Sequence, residues 1–423
     1  MLENVRTLVV GVLEFRNLGL QIGELMFANR LPWLLTTGCC GGAMIAGWLY
    51  LGTVNLPRIQ ADEPQDQDSQ RQQSAASTNP QKEAAGEVEA ASRIVGGTQC
   101  LDCHRSEYVR WKRSKHATRA FDLLGSTASA RRYAEALDIE FGEVAASNSL
   151  CVQCHATRQI RADGVARVLP GVSCESCHGP SGGVDGWLNT HSVYGEEGGT
   201  RSDETKEHYL ERKAKCGKSG QLRSEHIYEL AKACYSCHLV NNEALVNEAE
   251  HPVATQNFDF SIKSLGDVRH NYHLDQQVNA EVATLWLDPL WHGERRTAAG
   301  RKRLMFVVGA TVDLEMSLRA LARATDEEGD YCEAMSERVV DAYELIEEDI
   351  LEEVGDLPLL EKLLETAEEI YTKLDDEEFV LDDDRQACVD AANAVAAIAR
   401  EFAVKRNGNQ LDALEEPEVP DEE

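Results

Sequence analysis

The chain has 423 residues, 43% of them hydrophobic, with 42 basic against 73 acidic side chains and a formal charge of −31. That length allows two or three domains, and that charge argues against a nucleic-acid partner, whose phosphates it would repel. It favours a protein partner with a basic docking face, because opposite charge accelerates encounter; plain solubility accounts for much of the same acidity.

Residues 1–30 form an N-terminal segment in which Arg6, Arg16 and Arg30 mix with Glu3, Glu14 and Glu24, so flanking charge sets no clear orientation. Residues 31–57, "LPWLLTTGCCGGAMIAGWLYLGTVNLP", carry no charge. They are long enough to cross a bilayer as a helix, with Trp33, Trp48 and Tyr50 available for its interfaces. A single-pass transmembrane anchor is the expectation. The rival is a signal peptide begun at Met26, with "MFANR" as its basic start, although "RIQA" at 58–61 is a poor cleavage site and "TTGCC" only weakly resembles a lipoprotein box. Residues 58–98 are rich in Gln, Ser, Ala, Asp, Glu and Pro. Too little apolar surface is available there to offset the entropy of ordering, so a disordered linker is expected.

Beyond the linker one pattern occurs four times: "CLDCH" at 100–104, "CVQCH" at 151–155, "CESCH" at 174–178 and "CYSCH" at 234–238. Chance predicts roughly 0.01 copies at this composition. A zinc site could use the cysteine pairs, but it gives no reason for a histidine directly after every second cysteine. A thioredoxin-like redox pair would need a βαβ setting that does not follow. Covalent haem attachment explains all three residues: the two thiols add to the haem vinyl groups and the histidine becomes the proximal iron ligand. The expected attachment residues are Cys100, Cys103, Cys151, Cys154, Cys174, Cys177, Cys234 and Cys237, with His104, His155, His178 and His238 as proximal ligands to four c-type haems. Such attachment takes place outside the bacterial cytoplasmic membrane, which puts residues after 58 on the periplasmic side. Residues 99–296 are then a tetrahaem domain of short helices and loops with almost no sheet, in which "SEYVRWKRSKHATRAFDLL" reads as an amphipathic helix.

Eight histidines remain for at most four sixth positions: His116, His191, His208, His226, His251, His270, His273 and His292. His208 and His226 lie in a charged stretch and are weaker candidates. Cys39, Cys40, Cys216, Cys332 and Cys388 show no spacing for a second site; Cys332 and Cys388 read as small core residues.

The order "CLDCHRSEYVRWKRSKHATRAF", "CVQCH", "GVSCESCHGPSG", "CYSCH" resembles the cytochrome c-554 family of tetrahaem electron carriers over residues 97–275. The resemblance implies a mainly helical fold with closely stacked haem pairs. It implies distal ligation by His116 in "SKHA" and by His191 downstream of "CESCHGP", each to a haem other than that of its own motif. It implies His270 in "VRHNYH", with His273 as rival, for the fourth haem. The family leaves the haem of the second motif open at its sixth position; His251 in "EHPVATQNFDF" departs from that pattern and is a candidate to fill it.

From residue 297 the pattern becomes helical. Met335, Val339, Ala342 and Ile346 recur at three- and four-residue spacing, as do Leu360, Leu363, Ala367, Ile370 and Leu374, and again Cys388, Ala392, Val395, Ala399 and Phe402. A helical bundle or helix-hairpin array over 297–407 is expected, followed by an acidic disordered tail at 408–423. It shows no catalytic constellation and reads as a cap, a spacer or a docking surface. The combined expectation is mainly α: a membrane-tethered electron carrier, the alternative being a haem reductase or oxidase of a small nitrogen or sulfur compound acting at one five-coordinate haem.

Overall fold

The computed structural model describes residues 80–195, 199–255, 258–266 and 297–418. The expected anchor at 31–57, the start of the linker and His270, His273 and His292 lie outside them. All described residues belong to one compact unit, Gln72–Glu423. Among them no helix is long and apolar enough to cross a membrane.

The chain begins with α1 (Pro80–Ser92), inside the segment expected to be disordered up to residue 98. Ala91, Ile94 and Gly97 are already buried. The cause is long-range: the Glu175 carboxylate accepts the backbone N–H groups of Val95 and Gly96, the latter at 2.7 Å. The linker therefore ends sooner than composition suggested.

Short helices follow: α2 (Arg105–Trp111), α3 (Lys115–Thr118), α4 (Asp122–Ser126), α5 (Ala128–Ala136) and α6 (Val152–His155). The single helix expected after the first motif is thus three. Ser114 marks the first break, where its hydroxyl caps α3 through Ala117 N and donates to Trp111 O. Trp111 itself donates Nε1–H to Val172 O at 2.8 Å, tying this segment to the third motif. The only sheet among the described residues is an antiparallel hairpin, β1 (Ala156–Ile160) with β2 (Ala166–Pro170), in register Ala156↔Pro170 to Ile160↔Ala166. Then come α7 (Cys174–His178), α8 (Leu188–His191), α9 (Lys206–Lys218), α10 (Ile227–His238), α11 (Glu243–Asn247) and α12 (Phe260–Gly266).

Four long helices complete the fold: α13 (Ala298–Leu321), α14 (Asp330–Glu344), α15 (Pro358–Asp375) and α16 (Leu381–Lys405). A π-helical stretch, Leu345–Leu351, extends α14. α13 is central and most of its residues are buried, Arg301 and Glu315 among them. α15 and α16 turn apolar stripes inward; Leu360, Leu363, Ala367, Cys388, Ala392, Val395 and Phe402 are fully buried. Cys332 and Cys388 are core residues, as their spacing suggested.

Two expected boundaries fail. Ile227, Tyr228, Ala231 and Tyr235 of α10, with Phe258 and Phe260, share one apolar core with α13 to α16, so residue 297 does not separate two domains. The haem signature at the end of α10 had hidden that helix's own apolar face. Leu411 and Leu414 also join this core, which moves the start of any tail beyond residue 414.

Candidate functional site

The spacing of each motif has a simple consequence. On a helical turn, positions i, i+3 and i+4 share a face, so both cysteines and the histidine point the same way. The second and third motifs are such turns, α6 and α7, and the fourth ends α10. The first follows a 3₁₀ turn, Gly97–Cys100, and closes with His104 N donating to Cys100 O at 2.8 Å.

Three of the four motif histidines are hydrogen-bonded through Nδ1. His155 donates to Ala120 O at 2.9 Å and His178 to Leu222 O at 2.8 Å, and His238 Nδ1 pairs with Thr255 Oγ1 at 2.8 Å. His104 Nδ1 lies 3.9 Å from the Glu107 carboxylate. An imidazole with its Nδ1–H so engaged carries its lone pair on Nε2, the arrangement that orients histidine toward a metal and strengthens it as a ligand. Burial lowers the affinity of His155 and His178 for protons, keeping both neutral as iron ligation requires. The Glu107 carboxylate has the opposite effect on the more exposed His104, and His104 in turn pulls Glu107 down to about 2.

The motifs meet in pairs. Cys100 and Cys174 are close enough to shift one another's proton affinity, bringing motifs one and three together, and Cys154 and Cys237 do the same for motifs two and four. Cys177 and Cys234 are close enough to interact electrostatically, which brings three toward four.

The distal candidates separate clearly. His191 Nε2 faces His104 Nε2 at 3.4 Å, and burial pushes His191 down to about 4. His116 meets His238 edge-on, ring centres 5.9 Å apart. The His116 backbone is packed against Gly171, where φ is +83° and a Cβ would stand 2.6 Å from His116 O; Val172 N donates to the same carbonyl at 2.9 Å. The resemblance had implied His270 for the fourth haem, whereas the described neighbour of His238 is His116. His251 packs against Tyr133 at 5.1 Å, donates Nδ1–H to Pro252 O, and is near enough to His155 to depress its protonation. His208 Nδ1 lies 2.6 Å from the Glu204 carboxylate, and His226 Nδ1 accepts from Arg223 N; neither stands beside a motif histidine among the described contacts.

Two contributors carried no sequence signal. Glu175, inside "CESCH", is 2% exposed and accepts from Val95, Gly96 and Ser181, stitching the third motif to the chain's entry into the fold. Gln221 contacts His191. Only the double placement of Glu175 between two attachment cysteines could have drawn notice.

These groups fit c-type haem: thiol pairs and an imidazole on one face, Nδ1 committed in three of the four motifs, and second imidazoles opposite two of them. Among the described residues no three His, Cys, Asp or Glu converge as a directly bound metal ion would need. The family model for cytochrome c554 and c-prime matches residues 99–179, spanning the first three motifs. This part of the chain is similar to the c554-type cytochromes. No curated protein and no solved structure matches the chain. The match supports a c-type cytochrome that carries haem iron, and the mainly helical fold accords with it.

Proposed function

We propose that the chain is a tetrahaem cytochrome, anchored in the cytoplasmic membrane by residues 31–57, that passes electrons between redox partners on the periplasmic side. The pairing of motif histidines with second histidines, His104 with His191 and His238 with His116, supports this reading most directly. Two strong-field nitrogens on one iron make a low-spin electron carrier rather than an open catalytic centre. Haem iron, when bound, supplies the one-electron couple. The protein's part is to hold each ring by two thioethers, orient both axial imidazoles, and keep them neutral by burial. The nearness of the motif cysteines favours an electron path in the motif order one, three, four, two. His251 is proposed for the second haem; with His116 beside His238, His270 is left for the third. The proposed partner carries a basic face, matching the chain's acidity.

A pyridine haemochrome assay on the exported protein should give four covalent haems per chain, and two or fewer would overturn the reading. Electron paramagnetic resonance then tests ligation. His116→Ala and His251→Ala should each keep four haems while converting one from low to high spin. An unchanged spectrum would remove that residue from the ligand set.

A further inference from the structure

The segment 220–224 lies against the end of α7 because Gly179, at φ +85°, leaves no Cβ there; one would stand 2.2 Å from Gly220 O. At this seam Leu222 N donates to His178 O and Leu222 O accepts from His178 Nδ1. One residue earlier, Gln221 reaches the histidine opposite the first motif: its side-chain amide meets His191 Nδ1 at 2.9 Å. Gln221 is 5% exposed, and its Oε1 is buried with no hydrogen-bond partner. On the far side of the ring, His191 Nε2 faces His104 Nε2 at 3.4 Å. The backbone of His191 is fixed independently, its carbonyl accepting from Arg212 Nη1 at 2.6 Å.

In this arrangement the amide N–H donates to Nδ1, so the single proton of the neutral imidazole sits on Nε2, between the two rings. An iron ligand needs the other tautomer, with the lone pair on Nε2 and the proton on Nδ1. A carboxamide is nearly symmetric in shape, and a half-turn exchanges its oxygen and nitrogen. That turn brings the unpartnered Oε1 onto Nδ1–H with no change of charge. Few side chains could do both: leucine neither donates nor accepts, and a carboxylate only accepts. We infer that Gln221 is the positioning residue for the distal ligand of the first haem, setting the tautomer, orientation and donor strength of His191. Together with Leu222 it makes one short segment the common support of a ligand on the first haem and a ligand on the third.

This inference rests on the haem reading above but can fail separately from it. The test uses the holoprotein with Gln221→Glu and Gln221→Leu, each read by haem count, redox titration and low-temperature electron paramagnetic resonance. A carboxylate acceptor gives the imidazole more anionic character and stabilises ferric iron; leucine removes the acceptor. One haem should therefore shift to lower potential in Gln221→Glu and to higher potential in Gln221→Leu, with one low-spin signal moving and four haems retained. Both shifts should vanish in a His191→Ala background. Shifts of the same sign, no shift, or shifts that persist without His191 would overturn the inference. Gln221→Glu keeps the shape and decides alone, through the His191→Ala comparison, if the leucine variant does not accumulate. Loss of haem in the unmutated protein would instead count against the haem reading itself.

Discussion

Residues 99–255 and 297–418 are neighbours in one unit, yet they are built on opposite terms. The first has 19 Lys and Arg against 21 Asp and Glu; the second has 12 against 33. The first has a small side-chain cluster of its own, Leu124, Ala134, Val144, Val152 and Ala156. The second is organised around a helix most of whose residues are buried, and its core also takes in α10. Apolar burial stabilises by about 25 cal/mol per Å², and only the second region buries apolar side chains in quantity. The first must draw its cohesion from elsewhere, and the proposed haems with their thioethers would be the source. The bundle is thus the part that stands on its own sequence, and the attachment region is the part that depends on what is bound.

The largest test of that contrast replaces all eight attachment cysteines by serine. Limited proteolysis should then cut readily within residues 99–226 while a fragment running from about α10 through α16 survives. Helical circular dichroism should fall only in part. The fragment should keep α10, because Ile227, Tyr228, Ala231 and Tyr235 are seated in the bundle core. Equal protection of both regions, or loss of both together, would break the contrast.

A smaller effect is expected where the regions join. Glu315 on α13 is fully buried and accepts from Lys232 Nζ at 2.7 Å, Arg319 Nε at 2.8 Å and Tyr228 Oη. Lys232 and Tyr228 belong to α10, so this carboxylate pins the fourth motif's helix to the bundle. Glu315→Ala should cost about 3 kcal/mol at neutral pH, since it strands buried polar partners. Burial alone would raise the proton affinity of Glu315, but Lys232 and Arg319 outweigh it and hold the group below the ordinary value of 4.5. A depressed carboxylate contributes stability above its unfolded value and loses it as pH falls through the folded one. The gap between parent and variant in denaturant unfolding should therefore be full at pH 7 and narrow under acid. A gap that widens on acidification would contradict this account.

How much of this was legible beforehand follows the same division. The bundle helices were readable because apolar residues at three- and four-residue spacing are a direct record of burial: Met335, Val339, Leu363 and Phe402 all face inward. The motifs were readable because attachment chemistry fixes residue types at fixed spacing. What escaped were contacts between distant segments. Nothing near Val95 announces that its N–H will meet Glu175, and nothing in "SGQLRSEH" marks Gln221 as a neighbour of His191. Domain limits failed for a related reason. α10 carries a haem signature at one end and a core face along its length, and the signature obscured the periodicity. The distal histidines were half legible: His116 and His191 fell beside motif histidines, but which went with which depended on the fold.

The smallest expected effect concerns where a partner docks. Net charge suggests a basic partner, yet the charge is unevenly spread. Around the first motif, Arg105, Lys112, Arg113, Lys115 and Arg119 are all exposed, while Glu347, Glu348 and Asp349 are exposed on the bundle. For a basic partner, the bundle's field steers and the cations beside the first motif oppose. Replacing Glu347, Glu348 and Asp349 with lysine should then slow second-order electron exchange by about three- to tenfold at low ionic strength. Replacing Lys112 and Arg113 with glutamate should accelerate it. Both effects should fade as salt shortens the Debye length to about 8 Å at 0.15 M. Stopped-flow exchange with a basic and with an acidic small redox protein reads both signs. If exchange is faster with the acidic one, and the two sets of substitutions act in the reverse sense, the docking face is the cationic one at the first motif. The bundle's acidity would then serve solubility alone.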